Sequence, residues 1–163
     1  MINDFIIYGN GGHAKVVKEL IQLIKGNIVA VYDNETLYDP LAFPDAQVVI
    51  AIGNNECRKA VSEKIKHPFA TLIHPKAVVA KNAMVAAGTV ILANAVIQEQ
   101  AVIGKHCIIQ PNVTIDHDAS IGDFTIIYPN SYIGGEAKVL DNTNVPPNSF
   151  ISRQTVFINT ELV

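Results

Sequence analysis

Residues 91–121 read ILANAVIQEQAVIGKHCIIQPNVTIDHDASI, and an isoleucine stands at every sixth position of this stretch. Followed in both directions, the same spacing meets only Ile or Val from Ile73 to Ile151, and then reaches Phe157 and Val163. Four residues after each inward aliphatic, the side chain is short, most often Ala, Thr or Ser. Neither a helix nor a hairpin repeats with a period of six. The spacing therefore predicts short strands that each point one branched side chain inwards and then turn.

The turns between these strands carry their own pattern. The third residue after each inward aliphatic is often Asn, and Gly88 occupies one of these positions. Asn and Gly tolerate the left-handed backbone that a sharp corner requires. Three strands and three corners make one coil of 18 residues, so the chain after Ile73 holds about five stacked coils. We predict a parallel β-helix whose coils lie roughly 4.8 Å apart.

The composition agrees with a layered aliphatic interior and narrows the class of protein. Hydrophobic residues make up 49% of the chain, aromatic residues only 7%, and Trp is absent. A net charge of −3 favours neither nucleic acid nor an anionic membrane as a partner. The N-terminus carries no charged leader or long apolar run, so we expect a cytoplasmic protein without membrane insertion. The two cysteines, Cys57 and Cys107, form no CxxC pair, and we expect neither a metal site nor a disulfide.

Residues 1–70 follow a different pattern, in which apolar runs alternate with helical stretches. The apolar runs cover residues 5–8, 28–33 and 48–52, and the helical stretches end near residue 25 and cover about 56–66. This order predicts a Rossmann-like α/β unit with a small parallel sheet. We therefore expect two domains, an α/β domain over 1–70 and a β-helix over 71–163.

The turn after the first predicted strand is rich in glycine. Gly9, Gly11 and Gly12 allow close approach of the backbone, and the following helix N-terminus can bind a phosphate. A tight strand-to-helix turn without a ligand explains the same glycines. Asp33, at the end of the second strand, suits a ribose or a base edge, with an ordinary capping carboxylate as the alternative. NAD-dependent redox chemistry is not expected, because half a Rossmann sheet rarely holds a dinucleotide.

Three segments together carry a resemblance to a known family. They are GNGGHAKVV at 9–17, VVIAIGNNECR at 48–58 and IHPKAVVA at 73–80, followed by hexapeptide coils. The combination resembles the bacterial sugar acyltransferases that acetylate sialic acid hydroxyls or nucleotide-linked amino sugars. Among these it looks most like the nucleotide-amino-sugar N-acetyltransferases of surface-glycan synthesis. The resemblance implies a left-handed β-helix, a homotrimer with active sites between subunits, and acetyl-CoA as co-substrate without a metal.

The resemblance also implies roles for individual residues of the N-terminal unit. In such enzymes this unit holds the nucleotide of the acceptor. The positions that match the family pattern are Gly9, Gly11, Gly12, His13, Lys15 and Asp33, with Gly53 and Asn54 nearby.

The family's catalytic motif stands here as DHDASIGDF at 116–124. By that match His117 is the general base and Asp118 its carboxylate partner, and imidazole suits this task because it titrates close to neutral pH. His117 lies two residues after Ile115, at an outward position. One coil later stands Gly135, which the family pattern assigns to the acyl-CoA site and whose N–H we expect to act as an oxyanion donor.

The remaining histidines and two departures from the family complete the sequence expectations. His67 and His74 precede prolines and are expected to be structural, and His106 is expected to be a solvated corner residue. The three-His metal site of β-helical carbonic anhydrases is therefore not expected.

Ile126 stands where the family commonly has a second histidine, and the coils end at Val163, so we expect a donor groove that is short or built differently.

Three hypotheses follow. The leading one is a coenzyme A-dependent N-acyltransferase, acetyl by preference, that acts on the amino group of a nucleotide-linked sugar. A second is O-acetylation of sialic acid or a related sugar. A third is a catalytically idle β-helical binding or scaffold protein. The sugar, the nucleotide base and the acyl group are left open.

Overall fold

The computed structural model describes residues 3–158, and the chain divides into two compact units, Met1–Leu72 and Ile73–Val163. The first unit contains a three-stranded parallel sheet in the order β2-β1-β3 with two helices. Its elements are β1 (Asp4–Tyr8), α1 (Gly12–Leu23), β2 (Asn27–Tyr32), β3 (Gln47–Ile50) and α2 (Asn55–Ser62). The predicted α/β architecture is confirmed.

Apolar spacing explains the interior of the first unit. The central strand β1 contributes Ile6 and Ile7, which are fully buried. Helix α1 buries Ala14, Val17 and Leu20, three residues apart, because this spacing puts them on one helix face.

Both helices end earlier than the sequence pattern predicted. Helix α1 stops at Leu23 because Lys25 adopts a left-handed conformation, φ 59°, before Gly26, whose N–H donates to Ile21 O. Helix α2 stops at Ser62, and the backbone N–H groups of Lys66 and His67 donate instead to the hydroxyl of Tyr38.

The second unit is a parallel β-helix, as the period of six predicted. Its strands are two residues long. They are β4 (Leu72–Ile73), β5 (Val78–Val79), β6 (Met84–Val85), β7 (Val90–Ile91), β8 (Val96–Ile97), β9 (Val102–Ile103), β10 (Ile108–Ile109), β11 (Thr114–Ile115), β12 (Ser120–Ile121), β13 (Ile126–Ile127), β14 (Tyr132–Ile133), β15 (Lys138–Val139), β16 (Asn144–Val145), β17 (Phe150–Ile151) and β18 (Val156–Phe157).

These strands form three five-stranded sheets, one along each side of the coil. The orders are β16-β13-β10-β7-β4, β17-β14-β11-β8-β5 and β18-β15-β12-β9-β6. Each strand pairs in parallel with the strand 18 residues away, for example Ile108 with Ile126. The inward isoleucines from Ile91 to Ile121 are at most 3% exposed, whereas Ile73 is 38% exposed at the end of the stack. The coils on both sides of these isoleucines bury them, as expected for a solenoid.

The corners adopt the predicted left-handed backbone. Positive φ recurs at every sixth residue from Asn94 to Gln154, although Asn82, which the pattern also included, is not among these residues. At one corner, four asparagines form a ladder in which each amide N–H donates to the carbonyl one coil further, at 3.2, 3.1 and 3.2 Å. These are Asn94, Asn112, Asn130 and Asn148. Asn tolerates the left-handed backbone, and the ladder adds a hydrogen bond between successive coils at this corner.

The expectation for His106 is wrong. His106 is only 4% exposed, and its ring stacks on Phe124 with centroids 5.0 Å apart and an interplanar angle of 11°. Gly88 makes this possible, because a Cβ at that position would lie 2.2 Å from Nδ1 of His106. The sequence pattern placed His106 at a corner correctly but did not reveal that the glycine one coil below opens space for the ring.

Candidate functional site

One corner of the β-helix, between β11 and β12, carries His117 and Asp118. Nδ1 of His117 lies 2.8 Å from Oδ2 of Asp118, and the two side chains are 46% and 45% exposed. Asp118 occupies the left-handed corner position, with φ 60°. The corner therefore turns the carboxylate alongside the ring that precedes it and leaves both groups open to a substrate.

The electrostatics of this pair suit a base. The hydrogen bond that the His117 ring donates to Asp118 raises the pKa of His117 above its usual value, and the negative charge of Asp116 adds to the effect. With Nδ1–H donated to the carboxylate, Nε2 is the nitrogen that can accept a proton. The pair can thus remove a proton from a nucleophile and stabilise the imidazolium that results.

Gly135 lies on the next coil, directly beside the His117 ring. Glu136 N donates to His117 O at 3.1 Å, which fixes the two coils at this corner. A Cβ on Gly135 would lie 3.0 Å from both Cε1 and Nε2 of His117. Any side chain at 135 would therefore press on the face of the imidazole. The structure brings together the three residues predicted here, His117, Asp118 and Gly135.

Five charged or polar residues that the sequence reasoning did not select surround this corner. Oδ1 of Asp116 accepts from His117 N at 2.8 Å, and Oδ2 accepts from the Tyr132 hydroxyl at 2.7 Å. Glu136 accepts from Nε of Arg153 at 3.1 Å and from Nη2 of the same guanidinium. Gln154 and Arg153 together hold the pKa of Glu136 below its usual range. The 18-residue register could have found Glu136 and Arg153, because it places them on the coils after His117.

A pocket of about 400 Å³ opens in the first unit at the ends of β1 and β2. Its lining residues are Tyr8, Gly9, Asn10, Asp33, Asn34, Ile52, Cys57, Ala60 and Val61. Gly9 is required here, because its φ is +114° and a Cβ would lie 2.8 Å from the Ala51 carbonyl oxygen. The first glycine of the predicted loop therefore serves both a tight turn and the wall of a pocket.

Asp33 lines the same pocket while it caps its own turn. Oδ1 accepts from the backbone N–H groups of Glu35 and Thr36, each at 2.9 Å. The hydrogen bond from Thr36, followed by that from Glu35, holds the pKa of Asp33 below its usual range. Asp33 is thus a capping residue through Oδ1, as the alternative interpretation expected. Its carboxylate still presents a negative charge at the pocket.

The other predicted nucleotide-binding residues lie outside the pocket lining. Gly11 caps α1 and Gly12 begins it, with nothing near the position of a Cβ at either residue. Lys15 is exposed on α1. Gly53 follows β3, and Asn54 caps α2 by accepting from Cys57 N at 2.9 Å.

His13 and Arg58 form a second feature of this unit. Burial, followed by the nearby charge of Arg58, lowers the pKa of His13 to about 4, and its Nε2 is buried without a hydrogen-bond partner. Arg58 is 1% exposed, and its Nη1 donates to the carbonyl oxygens of Ile52 at 2.8 Å and Gly53 at 3.1 Å. Sequence reasoning missed Arg58, because an arginine on a short polar helix is ordinarily solvated.

Two family models match the chain. Residues 4–65 match the PglD N-terminal domain, and residues 82–117 match the bacterial transferase hexapeptide (six repeats). The first unit is thus similar to PglD N-terminal domains, and part of the β-helix is similar to bacterial transferase hexapeptide repeats. The family resemblance drawn from the sequence is confirmed.

Individual relatives agree with this assignment. The chain is 36% identical over 112 residues to the UDP-N-acetylbacillosamine N-acetyltransferase of Bacillus subtilis (strain 168), a match that covers 56% of this chain and 52% of that protein. The match thus spans about half the length of the curated relative.

Solved structures of similar fold cover nearly the whole chain. A mutant of perosamine N-acetyltransferase from Caulobacter crescentus, in complex with CoA and GDP-perosamine, aligns with a TM-score of 0.65 at 22% identity, over 99% of this chain and 96% of that one. The acetyltransferase domain of PglB from Neisseria gonorrhoeae aligns with a TM-score of 0.55 at 25% identity, over 96% and 91%.

The hexapeptide-repeat domain departs from the expected pattern at Ile126. This residue lies in β13, pairs with Ile108 and Asn144 in the neighbouring coils, and is 3% exposed. A buried isoleucine offers no polar contact to a ligand. Within residues 3–158, no group of three or more His, Cys, Asp or Glu side chains is placed to hold a metal ion, and no helix is long and apolar enough to cross a membrane.

Proposed function

We propose that this protein is an acetyl-CoA-dependent N-acetyltransferase that acts on the amino group of a nucleotide-linked sugar in surface-glycan synthesis. The observation that carries this proposal is the hydrogen-bonded pair of His117 and Asp118 on an exposed corner, facing Gly135 on the next coil. A base, a carboxylate that orients it and an adjacent backbone N–H are the groups that acyl transfer needs.

The reaction follows from these groups. The sugar amine attacks the thioester carbonyl and a C–N bond forms. A proton of the amine passes to Nε2 of His117. The Gly135 N–H stabilises the negative charge that develops on the carbonyl oxygen. The C–S bond then breaks, and the thiolate takes up the proton from Nε2 of His117 and leaves as coenzyme A, which returns His117 to its neutral form. Asp118 stabilises the imidazolium throughout.

The PglD N-terminal domain is proposed to bind the nucleotide. The pocket beside Gly9 and Asp33 is large enough for a nucleoside, and Asp33 carries a negative charge that suits a ribose or the N–H edge of a base. The N-terminus of α1, formed by Gly11 and Gly12, suits a phosphate because it has no side-chain cap and helix N-termini bind anions through their first backbone N–H groups. His13, Lys15, Gly53 and Asn54 complete the proposed acceptor set.

The similar proteins support the same acceptor and donor. The Bacillus subtilis relative is a UDP-N-acetylbacillosamine N-acetyltransferase, and the Caulobacter crescentus structures hold CoA with GDP-perosamine. The PglB acetyltransferase domain has also been solved with acetyl coenzyme A. From the family resemblance and the N-terminal sequence we also propose a cytoplasmic homotrimer in which neighbouring subunits share the donor groove.

An acceptor panel tests the proposal. Purified protein is mixed with acetyl-CoA and UDP- or GDP-linked amino sugars, with the matching hydroxyl sugars and free sialic acid alongside, and release of free thiol is followed. We expect thiol release only with a nucleotide-linked amine, and a loss of at least about 100-fold in His117→Ala. Release with sialic acid alone would identify an O-acetyltransferase. No release with any acceptor, despite saturable nucleotide binding, would favour the idle binding protein.

A further inference from the structure

The corner that holds His117 is braced by a column of side chains on three successive coils. Asp116 begins the corner, Tyr132 stands one coil later in β14, and Phe150 one coil later again in β17. The Tyr132 ring stacks on Phe150, with centroids 5.3 Å apart and an interplanar angle of 17°. The stack leaves the phenol in a fixed direction, and its hydroxyl reaches Oδ2 of Asp116 at 2.7 Å.

Asp116 connects this column to the backbone of His117, the proposed base. Its Oδ1 accepts from the backbone N–H of His117 at 2.8 Å, while its own N–H donates to Ile133 O and its carbonyl oxygen accepts from Ala119 N. Both oxygens of the carboxylate are thus used, one by the phenol and one by the amide of the base. The residue is tied to the neighbouring coil, to the end of its own corner and to His117.

We propose that Asp116, held by the Tyr132 hydroxyl, is a positioning residue that fixes the backbone of His117 and supplies a second negative charge beside its imidazole. This inference rests on the proposed function, because it assigns Asp116 and Tyr132 to the same proton transfer. Asp118 orients the ring from one side, and Asp116 fixes the chain from which the ring projects.

Four charged groups face His117 and must be counted together. Asp116 and Asp118 favour the protonated ring, and Arg153 opposes it. Glu136, which is paired with Arg153, is the fourth group, and it also interacts with the ring charge. Removing the charge of Asp116 leaves one carboxylate in direct contact with the ring and Arg153 opposing it. The protonated ring is then less favoured, so the His117 pKa falls.

Two variants separate position from charge. Asp116→Asn keeps an acceptor for the His117 N–H but removes the charge, and Tyr132→Phe keeps the stack on Phe150 but frees the carboxylate. Asp141→Asn is the matched control. Oδ1 of Asp141 also accepts a hydrogen bond from a corner N–H, that of Asp123, at 2.8 Å, but this contact lies at a different corner from His117. The readouts are kcat, KM for both substrates, the pH profile of kcat/KM, and an NMR titration of the His117 ring.

We expect kcat to fall about tenfold in Tyr132→Phe and on the order of 100-fold in Asp116→Asn, with both KM values within about twofold of wild type. The His117 titration and the acid limb of the profile move to lower pH in Asp116→Asn and stay in place in Asp141→Asn. Wild-type turnover in both variants, or lost turnover with an unmoved His117 titration in Asp116→Asn, would overturn the proposal. If the wild type proves inactive on every acceptor, the proposed function fails, and the NMR titration still tests the link from Asp116 to His117.

Discussion

Three of the five histidines in this chain occupy contrasting environments. His117 is half exposed beside two carboxylates, His106 is buried against Phe124, and His13 is largely buried near Arg58. The first has a raised pKa and the last a lowered one, because a negative neighbour stabilises the imidazolium whereas burial destabilises it. Among the histidines within residues 3–158, only His117 combines exposure with a carboxylate partner, which is why it is the one proposed as a base.

The pH dependence of turnover tests the Asp118 contact. As the proposed base, His117 must be neutral to accept a proton, so kcat/KM should rise with pH through the His117 pKa, which lies above its usual value. In Asp118→Asn the largest cause of that elevation is gone, and the acid limb should move to lower pH while kcat falls about tenfold. A pH–rate profile of the two proteins checks this. An acid limb that stays in place would exclude Asp118 as the partner.

Acid stability tests the environment of His13. The pKa of His13 is about 4 in the folded state, against 6.5 for a free histidine. As pH falls from 6.5 to 4, His13 therefore becomes protonated in the unfolded chain but stays neutral in the folded chain. The unfolding free energy should therefore fall over that window, by at most about 3 kcal/mol. Urea unfolding followed by the helical circular dichroism signal measures it. His13→Gln should flatten this slope, and an unchanged slope would contradict the burial of a neutral ring.

At the scale of elements, the period of six was sufficient to predict the strands, the inward column and the corners of the β-helix. It worked because each coil repeats the same steric demand, so that Ile91, Ile97 and Ile103 meet identical surroundings. The resemblance to the family motif singled out His117 and Asp118, and the register placed Gly135 one coil after His117. The register could not predict the contacts between Asp116 and Tyr132 or between His13 and Arg58, because these depend on the direction of each side chain. The burial of His106 was missed for another reason, which is that it depends on the small residue Gly88 one coil below.

The column of short residues, four after each inward aliphatic, gives a direct stability test. Cys107 is fully buried between Thr89 and Thr125, and its N–H donates to Thr89 Oγ1 at 3.0 Å. Its Sγ lies 3.1 Å from Gly122 O, where a threonine hydroxyl would donate equally well, as Thr125 does to Leu140 O. Cys107→Thr should keep the thermal midpoint within a few degrees. Cys107→Leu should cost about 1–3 kcal/mol by overpacking, and equal midpoints for the two variants would contradict this packing.

At the scale of the whole molecule, assembly is the property to test. We propose a homotrimer, so sedimentation equilibrium should give a mass close to three times 17.6 kDa at assay concentrations. Exposed apolar side chains on the outer faces of the coils, such as Val78 and Met84 at 61% each, are the surfaces that such an assembly would cover. A monomer that is fully active would contradict shared donor grooves.

The most direct test of the central claim is a crystal structure with coenzyme A and a nucleotide-linked amino sugar bound together. We predict the coenzyme A sulfur beside the Gly135 N–H, the sugar amine within hydrogen-bond distance of Nε2 of His117, and the nucleotide in the pocket lined by Gly9 and Asp33. Coenzyme A bound away from Gly135, or a sugar amine that points away from His117 with the nucleotide in place, would contradict the account.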